Sequence, residues 1–224
     1  MSPTTMNRRQ LTISLGLTIA ALAGAPGRVL AALTGPWRWT RRPSITVIAV
    51  AGDRRIPLVQ EAVEFWNQTF SDLGTPFRLG TVTVVNGAVP GADLQALSEQ
   101  VLSQARRSDL PASIVRFPGD LLIVLSDASF ISFTGYGEQR AVVAIKNPDL
   151  PPLTLPNVTH NVIAHELGHA IGLGHNADPA LLMCGRPAPC RPDAFQSTSE
   201  HFFPLSAAEK ARLLILYPLN WKER

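Results

Sequence analysis

The pattern of apolar and polar residues divides most of the chain into short strands and longer helices. Short runs that are β-branched, alternating or fully apolar predict strands at 44–50, 77–85, 120–125 and 141–145. Apolar residues at helical spacing predict helices near 57–70, 94–107, 157–173 and 206–217. Ser206 and Glu209 form a capping box that opens the last helix. This order predicts an α+β fold, a twisted mixed, mostly parallel sheet with helices packed on it.

The first 31 residues have the pattern of an export signal. Arg8 and Arg9 precede an apolar run over 11–25, and small residues then lead to a predicted cleavage site after Ala31. The apolar run is too short to favour a membrane span, so we expect none once the signal is removed. The residues around the two arginines also resemble a twin-arginine signal, and Sec export stays an alternative. The sequence therefore predicts a secreted or periplasmic protein.

Export changes the interpretation of the charge. Residues 1–31 hold three arginines and no acidic residue, so their removal leaves equal numbers of basic and acidic residues. The basic isoelectric point then gives no support for a nucleic-acid partner. We expect a flexible lead-in at 32–43 and one domain at 44–224, without repeats.

An eleven-residue segment that begins at His165 carries the most specific chemistry in the chain. His165 and His169 lie four residues apart, which places both imidazoles on one face of a helix. A catalytic zinc takes three protein ligands and keeps one position for water. His175 can be the third ligand if the helix breaks at Gly172, because glycine tolerates positive φ. Glu166 then projects beside the metal, where a general base takes a proton from water.

This segment resembles the metzincin clan of zinc endopeptidases, and within it the matrixin, or matrix-metalloprotease-like, branch in a bacterial-type secreted form. Metzincins carry a methionine turn beneath the metal, and Met183 follows His175 by eight residues. The resemblance extends over about 44–218, although only 165–183 is specific. It implies a zincin-like catalytic domain with an active-site helix, a methionine turn and a C-terminal helix.

The chain also departs from that family. Matrixins carry a second, structural zinc, but the matching stretch, 126–149, has no histidine, so we expect a single catalytic Zn²⁺. No cysteine precedes Cys184, which excludes the inhibitory propeptide cysteine of many matrixins within this sequence. Cys184 and Cys190 would meet an oxidising compartment after export, and a disulfide between them is predicted, with two thiols as the alternative.

In the family, an edge strand above the cleft pairs with the substrate as an added strand. The candidate here is the run Ala141, Val142, Val143, Ala144 and Ile145, and an ordinary interior strand is the alternative. Of the remaining histidines, His160 points to a different helix face and is predicted to be structural. His201 is a weaker candidate for a proton donor or oxyanion partner.

Together these residues predict a monomeric zinc metalloendopeptidase that acts on a protein or peptide substrate. His165, His169 and His175 would bind the metal, and Glu166 would act as general base. Two alternatives stay open at this stage. One is an exported zinc- or peptide-binding protein without cleavage, and the other is a processing protease with one narrow substrate.

Overall fold

The computed structural model describes residues 37–103, 109–185 and 201–224, and its framework is a five-stranded sheet with helices on both faces. The strands are β1 (Ile45–Ala49), β2 (Val82–Asn86), β3 (Leu121–Leu125), β4 (Phe133–Tyr136) and β5 (Ala141–Ile145). The helices are α1 (Ile56–Asp72), α2 (Gly91–Leu102), α3 (Ala112–Val115), α4 (Pro156–Ala170) and α5 (Ala207–Leu216). The predicted signal, residues 1–31, lies outside the described residues.

The sheet has the order β2-β1-β3-β5-β4. All neighbouring strands are parallel except β4, which runs antiparallel to β5. The three central strands are buried along their whole length, as expected for parallel strands that are covered on both faces. The predicted α+β class with a mixed, mostly parallel sheet is therefore confirmed.

Two apolar layers hold the helices to the sheet. One face packs against α1, α4 and α5, and the other packs against α2 and α3. In the first layer the Trp66 indole of α1 donates to the carbonyl of Ala164 in α4 across 2.9 Å. The metal-binding motif is therefore on a helix that is packed between the sheet and α1. Within the described residues, no helix is long and apolar enough to cross a membrane.

The second strand, β2, is shorter than the strand over 77–85 that the sequence pattern predicted. It begins at Val82 rather than Phe77, because the preceding residues are bound to α1 instead of to a strand. The Asn67 side chain accepts from the backbone N–H of Leu79 across 2.7 Å, and its amide donates to the Leu79 carbonyl across 3.3 Å. The Phe77 ring stacks on Tyr217 at a centroid distance of 3.9 Å.

The predicted flexible lead-in is wrong for the part of it that the structure describes. Trp39 is buried, and its indole N–H donates to the carbonyl of Ala170, at the end of α4, across 2.9 Å. Arg41 pairs with Asp120 across 2.5 Å, at the start of β3. The buried indole and its hydrogen bond tie this segment to α4, so the folded unit begins before residue 44.

Candidate functional site

Helix α4 ends three residues before the predicted end at 173, and the predicted break at Gly172 is present. Its last helical residue is Ala170, and Gly172 has a positive φ of 97°. The Leu173 N–H donates to the Gly168 carbonyl across 3.0 Å, and the Gly172 N–H donates to the His169 carbonyl across 2.7 Å. These two bonds form a Schellman motif, which reverses the chain after the helix. The turn brings His175 back toward the two histidines of α4.

The three imidazoles meet at one point. The Nε2 atom of His169 lies 3.1 Å from Nε2 of His165 and 3.0 Å from Nε2 of His175. Ligand atoms of all three residues lie within 4.8 Å of one another. Three nitrogens bound tetrahedrally to one zinc at about 2.0–2.1 Å would be separated by roughly 3.3 Å. The arrangement therefore fits a zinc ion.

The protons of two of these rings are directed away from the meeting point. Nδ1 of His165 lies 2.8 Å from the carbonyl oxygen of Leu182, and Nδ1 of His169 lies 2.9 Å from that of Leu173. A carbonyl only accepts, so each Nδ1 donates its proton to that carbonyl, and Nε2 is the nitrogen turned toward the meeting point. In the neutral form of the ring, this Nε2 carries a lone pair that can bind a metal.

The pKa of His169 favours the same neutral form. Burial, and then the neighbouring charges of His165 and His175, lower this pKa to about 3, although the bond to Leu173 raises it in part. Metal binding requires an unprotonated imidazole. His169 is therefore ready to bind a metal at any pH near neutral.

Glu166 lies beside the histidines with 7% of its surface exposed. The Thr134 hydroxyl, on β4, lies 2.8 Å from its carboxylate Oε2 and 2.7 Å from its backbone carbonyl. Burial raises the pKa of Glu166, and the proximity of His165 and the Thr134 hydrogen bond offset part of this rise. A carboxyl group with a raised pKa both accepts and releases a proton more readily near neutral pH.

Aromatic side chains bind the carbonyl groups at the end of α4. The hydroxyl of Tyr136 donates to the carbonyl of His169 across 2.6 Å, and the hydroxyl of Tyr217 donates to that of Ile171 across 3.1 Å. Trp39 donates to the carbonyl between them, as described above. The last carbonyls of a helix have no partner within it, so these three donors hold the turn that positions the metal ligands. Burial raises the pKa of both tyrosines, which keeps their hydroxyls protonated.

We did not predict these three donors from the sequence. The only available signal was that tryptophan and tyrosine carry a polar group that needs a partner when it is buried. That rule does not identify the partner. The partner lies 33 residues away in the chain for Tyr136 and 131 residues away for Trp39.

The predicted methionine turn packs directly under the metal site. Met183 is buried, and a Cβ atom at Gly168 of α4 would overlap its sulfur. The backbone of Asn176 bonds to both sides of the turn, donating to the Met183 carbonyl across 2.8 Å and accepting from Gly185 across 3.2 Å. A Cβ atom at Gly185 would overlap the His175 ring, so this glycine also shapes the third ligand's position.

The predicted disulfide stays a prediction. Cys184 is buried next to the methionine turn, but Cys190 lies outside the described residues.

The predicted substrate edge strand is wrong. Ala141–Ile145 is β5, which lies between β3 and β4 and is buried along its whole length. Its fully apolar composition is that of an interior parallel strand, which was the alternative to the edge strand that the family resemblance implied. β4 has four residues, one of them a glycine, and gives too short a pattern to detect. In the described part of the chain β2 and β4 are the two edge strands, and β4 provides Thr134 and Tyr136 to the site.

The two remaining described histidines lie away from the three imidazoles. His160 is buried on another face of α4, with Nε2 3.2 Å from the carboxylate of Glu61 and its ring tilted by 33° against that of Phe202 at a centroid distance of 3.8 Å. This agrees with the predicted structural role. His201 lines a second open groove together with His160, and it does not line the cavity that contains Glu166.

No family model matches the chain, and no curated protein matches it. Among solved structures it is similar to archaemetzincin from Methanopyrus kandleri, at 19% identity over 80% of this chain and 96% of that one, with a TM-score of 0.37. It is also similar to metalloproteinase-II from Bacteroides fragilis, at 17% identity and a TM-score of 0.48. That match covers 80% of this chain and 54% of the other, about half its length.

Proposed function

We propose that this chain is a zinc-dependent endopeptidase of metzincin type, in the matrixin-like branch. The observation that supports this best is the convergence of three imidazole nitrogens beside a buried carboxylate. Three neutral imidazoles are a ligand set for one catalytic zinc, with a fourth position left for the reaction. We further propose that residues 1–31 direct export and that the enzyme acts as a monomer.

When bound, zinc supplies Lewis-acid polarisation of a peptide carbonyl and lowers the pKa of water. The residues of the chain provide the rest. Glu166 accepts a proton from the attacking water and returns it to the leaving amine. Thr134 holds the Glu166 carboxylate in place through its hydroxyl, 2.8 Å from Oε2. The buried setting of Glu166 favours this double role, because it raises the pKa of the carboxyl toward the pH at which it must exchange protons.

The substrate would bind as an extended peptide along β4. An edge strand offers backbone N–H and C=O groups that an added strand can pair with. β4 borders the same cavity as Glu166 and His169, so a peptide paired with it would lie across the metal centre. This proposal replaces the β5 strand that the sequence pattern had favoured.

The test is the variant Glu166→Gln in the full chain. We expect it to keep one zinc per chain by elemental analysis and to lose cleavage of a quenched peptide library by about 10²–10⁴-fold. Glu61→Gln is the matched control, because Glu61 is a half-exposed carboxylate on α1 that does not line the metal cavity. Its cleavage rate should equal that of the wild type.

Two results would contradict the proposal. Undiminished cleavage by Glu166→Gln would remove its role as general base. Zinc bound with no cleavage by the wild type would favour the alternative of a binding protein without peptidase activity.

A further inference from the structure

The row of α4 residues that carries two of the metal ligands continues toward the start of the helix as two buried asparagines. Asn157 and Asn161 precede His165 and His169 in this row, in which the residues are spaced four apart. Side chains at this spacing lie one above the other along a helix. Each asparagine is 1% exposed. Asparagine is a poor helix former, so two buried asparagines in this row indicate a role beyond helix formation.

The two asparagines bind the backbone of residues 201–203, which run alongside this part of α4. The Asn161 amide donates to the carbonyl of His201 across 2.9 Å, and its oxygen accepts from the N–H of Phe203 across 2.8 Å. The Asn157 oxygen accepts from the N–H of His201 across 3.2 Å and from the Asn161 amide across 3.1 Å. Asn161 therefore fixes this segment through both of its polar atoms.

From this segment the hydrogen bonds lead back to His165. The carbonyl of the next residue, Pro204, accepts from the N–H of Leu182 across 3.0 Å. The carbonyl of Leu182 in turn accepts from Nδ1 of His165 across 2.8 Å. The backbone of Leu182 is therefore bound on one side to residue 204 and on the other side to a metal ligand. Asn161 holds the chain directly before Pro204.

The orientation of the His165 ring depends on the position of Leu182. A ligand imidazole keeps one nitrogen ready for the metal when its other nitrogen has a fixed acceptor for the proton. If Leu182 shifts, Nδ1 of His165 loses that acceptor. The proton can then move to Nε2, which is the atom that would bind the metal.

We propose that Asn161 is a positioning residue for the metal centre. It acts through residues 203 and 204 and Leu182 to hold the His165 ring with its proton on Nδ1. The inference rests on the proposed zinc site and adds a residue outside it, because Asn161 does not line the cavity that contains Glu166. Asn157 supports the same segment but contributes less, since its oxygen binds only the first residue of the segment.

The experiment compares Asn161→Leu with the wild type in the full chain. Leucine favours the helix but removes both bonds to residues 201–203. We expect the affinity for zinc, measured by competition with a chromogenic chelator, to fall about 10–100-fold. In zinc-free protein, proton–nitrogen NMR spectra should show the His165 proton on Nδ1 in the wild type and shared between the two ring nitrogens in the variant. A role limited to the stability of the fold would not change this distribution.

Thr159→Val is the matched control. Thr159 is also buried on α4, and its hydroxyl donates to the carbonyl of Leu153 across 2.6 Å. The control therefore loses a buried hydrogen bond of the same helix that lies outside the route to His165. Urea unfolding of zinc-free protein should show a loss of stability in both variants, whereas only Asn161→Leu should lose affinity for zinc.

Asn157→Leu is a second variant, which keeps the test decisive if Asn161→Leu does not fold. It removes the bond to the N–H of His201 and leaves the two bonds between Asn161 and the segment in place. Its affinity for zinc should be lower than that of Thr159→Val.

The outcomes separate this inference from the proposed function. An unchanged zinc affinity in Asn161→Leu, an unchanged His165 proton distribution, or an equal loss of affinity in Thr159→Val would overturn the positioning role. If Asn161→Leu does not fold, equal affinities of Asn157→Leu and Thr159→Val would overturn it. No zinc binding by the wild type would overturn the proposed function and the positioning role with it. Zinc binding without peptide cleavage would overturn the peptidase function alone, because the positioning role is measured on zinc affinity.

Discussion

Two centres in this molecule are built around a cation in opposite ways. One holds a buried cation of the chain itself, and the other can bind a cation from outside. Arg55, just before α1, is 1% exposed, and its guanidinium is surrounded by oxygen atoms of the chain itself. It donates to both carboxylate oxygens of Asp53 across 2.9 and 2.6 Å and to the carbonyls of Ser126 and Lys146 across 2.9 and 2.8 Å. The histidine centre has the reverse character, since it brings together three nitrogen atoms that can bind a cation.

The difference distinguishes a centre that stabilises the fold, at Arg55, from a centre that binds a ligand, at the three histidines. Arg55 places its positive charge at the carboxyl ends of β3 and β5, and the oxygen atoms around it compensate that charge. Burial alone would raise the pKa of Asp53, but the hydrogen bonds and charge of Arg55 outweigh burial and lower it. The histidine centre is complete only when a cation arrives from outside. The comparison predicts that the first centre controls stability without metal and that the second makes stability depend on metal.

The largest expected effect comes from removing the internal cation. Arg55→Met should lower the free energy of unfolding by about 3–5 kcal/mol, because it leaves Asp53 buried without its partner. Urea unfolding of zinc-free protein measures this loss. Arg54→Met is the control, since Arg54 is exposed and its pair with Asp149 should contribute about 1 kcal/mol or less. Equal losses of unfolding free energy in the two variants would show that Arg55 stabilises the fold no more than an exposed arginine does.

The second effect comes from supplying the external cation. Zinc at about 100 times its dissociation constant should raise the wild-type free energy of unfolding by about 2.7 kcal/mol. His169→Gln should lose most of this increase, while Arg55→Met should keep it. A zinc increment that disappears in Arg55→Met would mean that the two centres are coupled and would break the comparison.

The third effect is a dependence of stability on pH in the zinc-free protein. The pKa of His169 is about 3 in the folded chain and 6.5 when unperturbed, so between these values the unfolded chain binds a proton that the folded chain does not. Stability should therefore fall as the pH falls from 6.5 toward 3, by at most about 1.4 kcal/mol per pH unit from this group. His169→Gln should show a shallower fall in urea titrations, and an identical slope would contradict the neutral assignment of His169.

The smallest effect tests how firmly the turn that carries the histidines is held. Tyr136→Phe removes the hydroxyl that donates to the His169 carbonyl and should lower the free energy of unfolding by about 0.5–1.5 kcal/mol. If this bond positions His169, the affinity for zinc should also decrease. Competition with a chromogenic chelator measures that affinity. A loss of stability with unchanged affinity would limit Tyr136 to a structural role.

The parts of the site that could be predicted from the sequence are those set by local geometry. The spacing of His165 and His169 and the break at Gly172 depend only on helix periodicity and on the backbone freedom of glycine. The Arg55 centre gave no such signal, because its carbonyl partners lie 71 and 91 residues away. The position of β4 at the sheet edge could not be predicted, since strand order depends on pairings that a single strand's pattern does not encode.

The aromatic donors at the end of α4 also set the order in which the turn after that helix is completed in a new chain. The Tyr217 hydroxyl accepts from the backbone N–H of Trp39, 178 residues earlier, and donates to the Ile171 carbonyl. During synthesis the histidines emerge before Tyr217 does. An incomplete chain therefore carries the three histidines without the last clamp on their turn. The histidine centre is fully ordered only after the C-terminal helix has been made.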